Sequence, residues 1–221
     1  MIAVKAVAID LDGTLLNTAP DLAEAANRML SDLQMASVSL SQVMSYIGNG
    51  AEKLVKRLLT GEMESEPDAA LLKRAMSSFF ENYADVLHLK SELYPGVRDG
   101  LDLLQNGKFR MACITNKPEK FTIPLLKAMN LYDYFEIVLS GDSLPRKKPD
   151  PLPLYRVCEE FGIKPNELLM IGDSISDVEA ARSAGSYIFS VPYGYNSSSG
   201  TLKSDREVSS ILEAAKLLMK A

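Results

Sequence analysis

Val7-Ala8-Ile9-Asp10-Leu11-Asp12-Gly13-Thr14-Leu15 is an apolar run that ends in two carboxylates one residue apart, followed by glycine and threonine. A short apolar run without helical period, led by Ala3, Val4, Ala6 and Val7, suits a strand buried on both faces, as central strands of parallel sheets are. Asp10 then sits at the carboxyl end of that strand, the edge at which open α/β sheets bind ligands. A carboxylate there can attack phosphorus and split one hard displacement into two easier ones. Asp12, two residues on, is placed to act as acid and then as base. Two carboxylates would repel a phosphate, so a hard cation between them is expected, and magnesium fits. Gly13 allows a tight turn that exposes amide N–H groups, with Thr14 beside them, to phosphate oxygens. Alone, the stretch reads equally well as an Asp-Gly turn after a strand.

Three later stretches decide between these readings. Met111-Ala112-Cys113-Ile114 is a second apolar run and ends in Thr115-Asn116; Lys147-Lys148-Pro149 leads into a helix; Leu168 to Ile171 is a third run, ending in Gly172-Asp173-Ser174-Ile175-Ser176-Asp177. Aspartates, a threonine, a lysine and further aspartates, in that order and each at the end of an element, resemble the four motifs of the haloacid dehalogenase superfamily. Within it the chain is most similar to the phosphoglycolate phosphatases, in Asp10 to Leu15, Tyr46-Ile47-Gly48-Asn49-Gly50-Ala51, Ile114-Thr115-Asn116-Lys117-Pro118, Lys148-Pro149, Gly172-Asp173-Ser174 and Tyr193-Gly194-Tyr195-Asn196. Asn17 departs from the pattern, where many relatives carry an aspartate.

The resemblance implies a magnesium-dependent phosphomonoesterase acting on a small phosphorylated metabolite, 2-phosphoglycolate first, through an aspartyl-phosphate. It implies Asp10 as nucleophile, Asp12 as acid and base, Thr115 donating to a phosphate oxygen, and Lys148 neutralising Asp10 and the phosphate. Lys148 is preferred to Lys147 because it precedes the proline and because neighbours on an extended segment point oppositely. Asp10, Asp12, Asp173 and Asp177 are the expected metal residues, with Asp177 in contact with the ion or one step behind it, or else a first-turn helix residue favoured by the macrodipole. Gly13, Thr14, Thr115, Asn116 and Lys148 are expected around the phosphate. Another sugar phosphatase, a pyrophosphatase or a phosphoglucomutase-like enzyme are the neighbouring readings. A receiver-type signalling module also combines a phosphorylated aspartate with acids, a threonine and a lysine, but it has no cap, and its phosphorylated aspartate lies on a later strand than its acidic pair.

The 221 residues can bury a substantial core, and the net charge of −5, with no basic run longer than Arg146-Lys147-Lys148, argues against a nucleic-acid surface. No apolar run is long enough to span a bilayer, and the amino terminus lacks a signal-peptide pattern, so a cytoplasmic protein that works without nucleic acid or membrane, as monomer or homodimer, is expected. Cys113 and Cys158 read as buried small hydrophobes.

After the first loop the period changes to helical: Leu22 to Leu33, Leu40 to Ile47, Ala51 to Leu59 and Leu72 to Tyr83 form four helices with no strand between them. Thr18 is the candidate cap of the first, with Pro20 in its first turn. Beyond Pro95-Gly96 strands and helices alternate, with Pro124 expected to distort one helix and Ser197-Ser198-Ser199-Gly200 expected to be a flexible loop. The pattern predicts an α/β fold: a doubly wound, Rossmann-like parallel sheet core (1–16 and 89–221) with an inserted all-helical cap (17–88). Hinges are expected near Leu16 to Thr18 and Leu87 to Tyr94, with His88 decorating the second. In the cap, amides of Gly48, Asn49 and Gly50 form a candidate anion nest. Lys53 and Arg57, one and two turns on, either face the leaving group's carboxylate or are solvated surface cations.

Overall fold

The computed structural model describes residues 4–195 and 202–220. The first strand, β1 (Ala6–Ile9), is followed by a two-residue strand β2 (Leu16–Asn17) and four helices, α1 (Ala19–Asp32), α2 (Leu40–Tyr46), α3 (Ala51–Thr60) and α4 (Ala69–Val86). The chain returns through β3 (Glu92–Leu93) to α5 (Val97–Asn106), β4 (Arg110–Ile114), α6 (Glu119–Ala128) and β5 (Ile137–Leu139). It closes with α7 (Leu152–Phe161), β6 (Leu168–Gly172), α8 (Ile175–Ala184), β7 (Tyr187–Ser190), β8 (Arg206–Glu207) and α9 (Ile211–Leu218).

Among the described residues the main sheet has six parallel strands in the order β5-β4-β1-β6-β7-β8. The period of two along each strand divides the core. Val7, Ile9, Met111, Cys113, Leu169 and Ile171 pack with α5, α6 and α9 on one face, while Ala6, Ala8, Ala112, Ile114, Leu168 and Met170 pack with α7 and α8 on the other. The sheet is thus doubly wound around a strand with no exposed side chain. Cys113 and Cys158 are free and buried in this packing.

Register brings the motifs together. Ile9 lies level with Cys113 on β4 and with Ile171 on β6, so Asp10, Thr115 and Asp173 emerge within one or two residues of the same line. The strand order reverses at β1, which opens a crevice at that edge.

The four helices α1 to α4 form the inserted cap, and both expected hinge segments contain a strand: β2 and β3 pair antiparallel, Leu16 with Leu93 and Asn17 with Glu92. Asp21 of α1 is buried and accepts from the Lys90 amide and the Ser91 hydroxyl, fastening the first cap helix to the returning hinge. Thr18 does stand at the N-cap of α1, but its side chain does not cap. Its hydroxyl is drawn instead to Asp12 Oδ1 at 2.6 Å, and the helix's free N–H groups of Thr18 and Ala19 donate to the phenol oxygen of Tyr195, at 2.6 and 3.0 Å. Helix α6 runs through Pro124 without interruption. The expected Ser197–Gly200 loop, like Asn196, lies outside the described residues.

Tyr195→Phe removes the acceptor of two helix-end N–H groups, each bond worth about 1 kcal/mol net. The variant should lose about 1–2 kcal/mol in denaturant unfolding. An unchanged midpoint and slope would contradict the hinge role of that hydroxyl.

Candidate active site

Lys148 is 2% exposed, and its ammonium has three acceptors: Asp10 Oδ1 at 2.8 Å, Asp177 Oδ1 at 2.6 Å and the Ile114 carbonyl at 2.6 Å. Three protons meet three oxygens, from the ends of β1 and β4 and the start of α8, so the group is fully satisfied. Burial alone would push this ammonium down, but Asp10 and Asp177 outweigh it and hold the lysine charged far into alkaline pH. Lys147, the alternative, points away; its Nζ lies 2.6 Å from where a Cβ on Gly50 would sit, at the seam between core and cap.

Asp10, Asp173 and Asp177 each bring a carboxylate oxygen within 4.8 Å of the others. Asp173 accepts from Thr14 Oγ1 at 3.1 Å and from the Tyr195 amide at 2.8 Å. Gly13 is in the left-handed region at φ +88°, and a Cβ there would come within 2.5 Å of Asp173 Oδ2, so the turn requires glycine. Asp177 belongs to the group but is also the capping-box residue of α8: its Oδ2 takes the Ser174 amide and hydroxyl while its Oδ1 takes Lys148. Asp12, expected among the metal residues, turns its carboxylate out of this group. Lys117 Nζ lies 3.0 Å from both of its oxygens, and the Thr18 hydroxyl donates to one of them.

Four carboxylates (Asp10, Asp12, Asp173, Asp177) thus face two ammonium groups (Lys117, Lys148), leaving two negative charges without a protein counter-ion. Protons or a divalent cation must supply the balance, and an all-oxygen donor set fits a hard ion such as magnesium. The electrostatics agree. Burial first, and Asp177 next, push Asp10 up to about 7 against the pull of Lys148, and burial with the Asp10 and Asp177 charges holds Asp173 well above the carboxylate range.

Above Asp10 and Asp12 lies a cavity of about 40 Å³ between core and cap, lined by Thr115, Asn116 and Lys117 below and by Gly48, Gly50, Leu54, Phe79 and Tyr83 above. The Thr115 hydroxyl accepts the Lys117 amide, so its own proton is free for the cavity. Asn116 donates to the Gly48 and Lys148 carbonyls, which fixes its amide and leaves Oδ1 with no partner. Asn49 instead reaches Ser176 Oγ at 3.0 Å, across the seam.

Lys53 and Arg57, expected over the leaving group, do not line this cavity. Lys53 is half-exposed and pairs with Glu64 at 2.8 Å. Arg57 is buried because it closes the end of α2, donating to the Tyr46 and Met63 carbonyls. Among the described residues the cation that lines the cavity is Lys117, whose signal was the lysine in Thr115-Asn116-Lys117-Pro118. Tyr83 carried only the signal of an apolar helix face.

Residues 7–191 match the family of haloacid dehalogenase-like hydrolases. A phosphoglycolate phosphatase of Nitrosospira multiformis is 56% identical over 99% of this chain and 97% of its own length, and one of Thiobacillus denitrificans is 54% identical over the same shares. The crystal structure of a protein described as a predicted phosphoglycolate phosphatase of Haemophilus somnus superposes with a TM-score of 0.91 at 35% identity, over 99% of both chains. The chain belongs to the haloacid dehalogenase-like hydrolases, and it is an enzyme, a phosphoric monoester hydrolase, rather than a receiver module. Within that superfamily its place is the phosphoglycolate phosphatase family. No helix among the described residues is long and apolar enough to cross a membrane.

Because the Asp10 carboxyl titrates near 7 when folded and near 3.8 when free, the folded state holds a proton that the unfolded chain has released between those values. The stability this proton supplies is present below about pH 4 and lost as pH rises toward 7. In chelator, Asp10→Asn should therefore gain thermal midpoint relative to wild type across that window. A constant offset between the two would contradict the assignment.

Proposed function

We propose that the protein is a magnesium-dependent phosphomonoesterase that hydrolyses 2-phosphoglycolate to glycolate and phosphate through an aspartyl-phosphate on Asp10. The observation that carries this reading is Asp10 itself: a nearly buried carboxylate at the switch point of the sheet, held by Lys148 and opening into a small cavity roofed by the cap. Asp10 and Asp173 would hold the cation, and Asp177 would act from behind through its bond to Lys148. Bound there, magnesium would neutralise the carboxylates and the incoming phosphate dianion.

An Asp10 oxygen forms the bond to phosphorus as the bond from phosphorus to the leaving oxygen breaks. Asp12 gives its proton to the departing alkoxide, releasing glycolate, and then takes a proton from the water that attacks the acyl phosphate, which restores Asp10 and frees phosphate. Lys148 and the Thr115 hydroxyl stabilise the charge on the phosphoryl oxygens, whereas the Gly13 and Thr14 amides, expected there, are taken by the Leu16 and Leu11 carbonyls and the Asn116 amide protons by the Gly48 and Lys148 carbonyls. The cap, assigned to 17–88 over a core of 1–16 and 89–221, excludes water until the alcohol has left. A cavity of about 40 Å³ supports a small substrate. We place the enzyme in the cytoplasm, acting on a small metabolite.

Asp10→Asn should abolish turnover while keeping the fold, since the amide is nearly isosteric and a poor nucleophile. Asp12→Asn should lose on the order of 10²- to 10⁴-fold in kcat. Steady-state hydrolysis by the first variant, or a wild-type rate in the second, would remove that residue from its role. Activity should vanish in chelator, return with magnesium, and be inhibited by calcium, whose larger and looser shell would disturb the in-line geometry. Equal rates with both ions would contradict the metal assignment.

A further inference from the structure

Two side chains that line the cavity keep donor protons that no protein acceptor takes. The Tyr83 hydroxyl is buried on a residue 1% exposed and has no hydrogen-bond partner, although a phenol buried in protein ordinarily finds one. Lys117 Nζ carries three protons, of which the two Asp12 oxygens take at most two. The two groups are neighbours, since the ammonium lies 4.7 Å from the centre of the Tyr83 ring. Both line the cavity into which Asp10 opens.

We infer that Lys117 and Tyr83 form the subsite that holds a carboxylate on the leaving alcohol, and so select small phosphate esters whose alcohol is a hydroxy acid. The inference rests on the phosphomonoesterase reading above and assigns its specificity to residues outside the catalytic group.

On the side away from Thr115 the cavity favours an anion held at this point. Its other walls, Leu22, Ile47, Leu54, Phe79 and Phe121, are apolar, so a carboxylate entering from water loses its hydration and needs donors in return. Asn116 Oδ1 can only accept, and therefore holds no anion. The Tyr83 ring is fixed before any ligand arrives: it stacks on Phe79 at 5.7 Å and meets Phe121 edge-on at 4.8 Å. A hydroxyl on so rigid a ring loses little freedom when it binds. An alcohol without the carboxylate leaves the Tyr83 hydroxyl buried and unpaired and the third Lys117 proton unused, an arrangement that discriminates against such an analogue.

The test compares 2-phosphoglycolate with ethyl phosphate, which replaces the carboxylate by a methyl group on the same two-carbon frame. The ratio of kcat/KM between the two esters is measured in wild type, Tyr83→Phe and Lys117→Met with magnesium present. Wild type should prefer the carboxylate ester. Tyr83→Phe should lower the ratio about 10- to 100-fold, the range for a hydrogen bond to a charged group, while its thermal midpoint does not fall, because the hydroxyl removed has no protein partner. Lys117→Met should bring the ratio toward one. An unchanged ratio in Tyr83→Phe overturns the subsite, as does a wild type that turns over both esters equally; either result leaves the phosphomonoesterase reading standing. Hydrolysis of neither ester, nor of p-nitrophenyl phosphate, overturns both.

Discussion

The ammonium of Lys148 is the point on which the structure closes. It joins the end of β1 through Asp10, the end of β4 through the Ile114 carbonyl, and the start of α8 through Asp177. Each of these groups is costly to bury alone, and removing one partner leaves the others as uncompensated charge, which costs several kcal/mol in a protein interior. The same bonds that make the site expensive also orient it. Asp177 cannot move without releasing the α8 cap, and Asp10 cannot turn without leaving Lys148. Even so, Lys148 and Lys117 together do not balance the four acids, and the excess negative charge is what an oxygen-loving divalent cation would stabilise.

A second set of contacts ties this charge cluster to the cap. The Tyr195 amide holds Asp173 while the hydroxyl of the same residue receives the first N–H groups of α1. Tyr193 donates to the Thr14 carbonyl and its ring packs on Tyr94, at the returning hinge, 4.4 Å away. Thr18, at the base of the first cap helix, donates to Asp12. One short loop after β7 therefore touches an acidic residue, the turn after β1, the start of the first cap helix and the residue that follows β3. The cap is thus hydrogen-bonded to the acidic groups of the candidate site.

Much of this is legible in the order of the residues alone. Polar residues at the ends of apolar runs declare themselves because a parallel strand hides every side chain except those past its end, which is why Asp10, Thr115 and Asp173 stand out. Four helical periods without a strand between them announce the cap for a similar reason. Direction is what the chain does not spell out. Lys53 and Lys117 are both lysines near a glycine or proline in a motif, yet Glu64 draws the first outward and Asp12 draws the second inward. Arg57 reads as a surface cation or an anion reader and is instead buried against the Tyr46 carbonyl that ends α2 and the Met63 carbonyl beyond α3. Tyr83 is indistinguishable from the phenylalanines of its stripe, because an unpartnered hydroxyl becomes visible only when its surroundings are known. The cap of α1 comes from Tyr195, 177 residues from Thr18, and no local pattern encodes it.

The account depends most on Asp10 forming a covalent bond to phosphorus. Wild type mixed in excess with ³²P-labelled phosphoglycolate and magnesium, and quenched in acid within a single turnover, should carry that intermediate. Label retained on the peptide that carries Asp10, and released by hydroxylamine as an acyl phosphate must be, is the predicted result. Turnover without protein-bound label, or label mapped to any other residue, would contradict it.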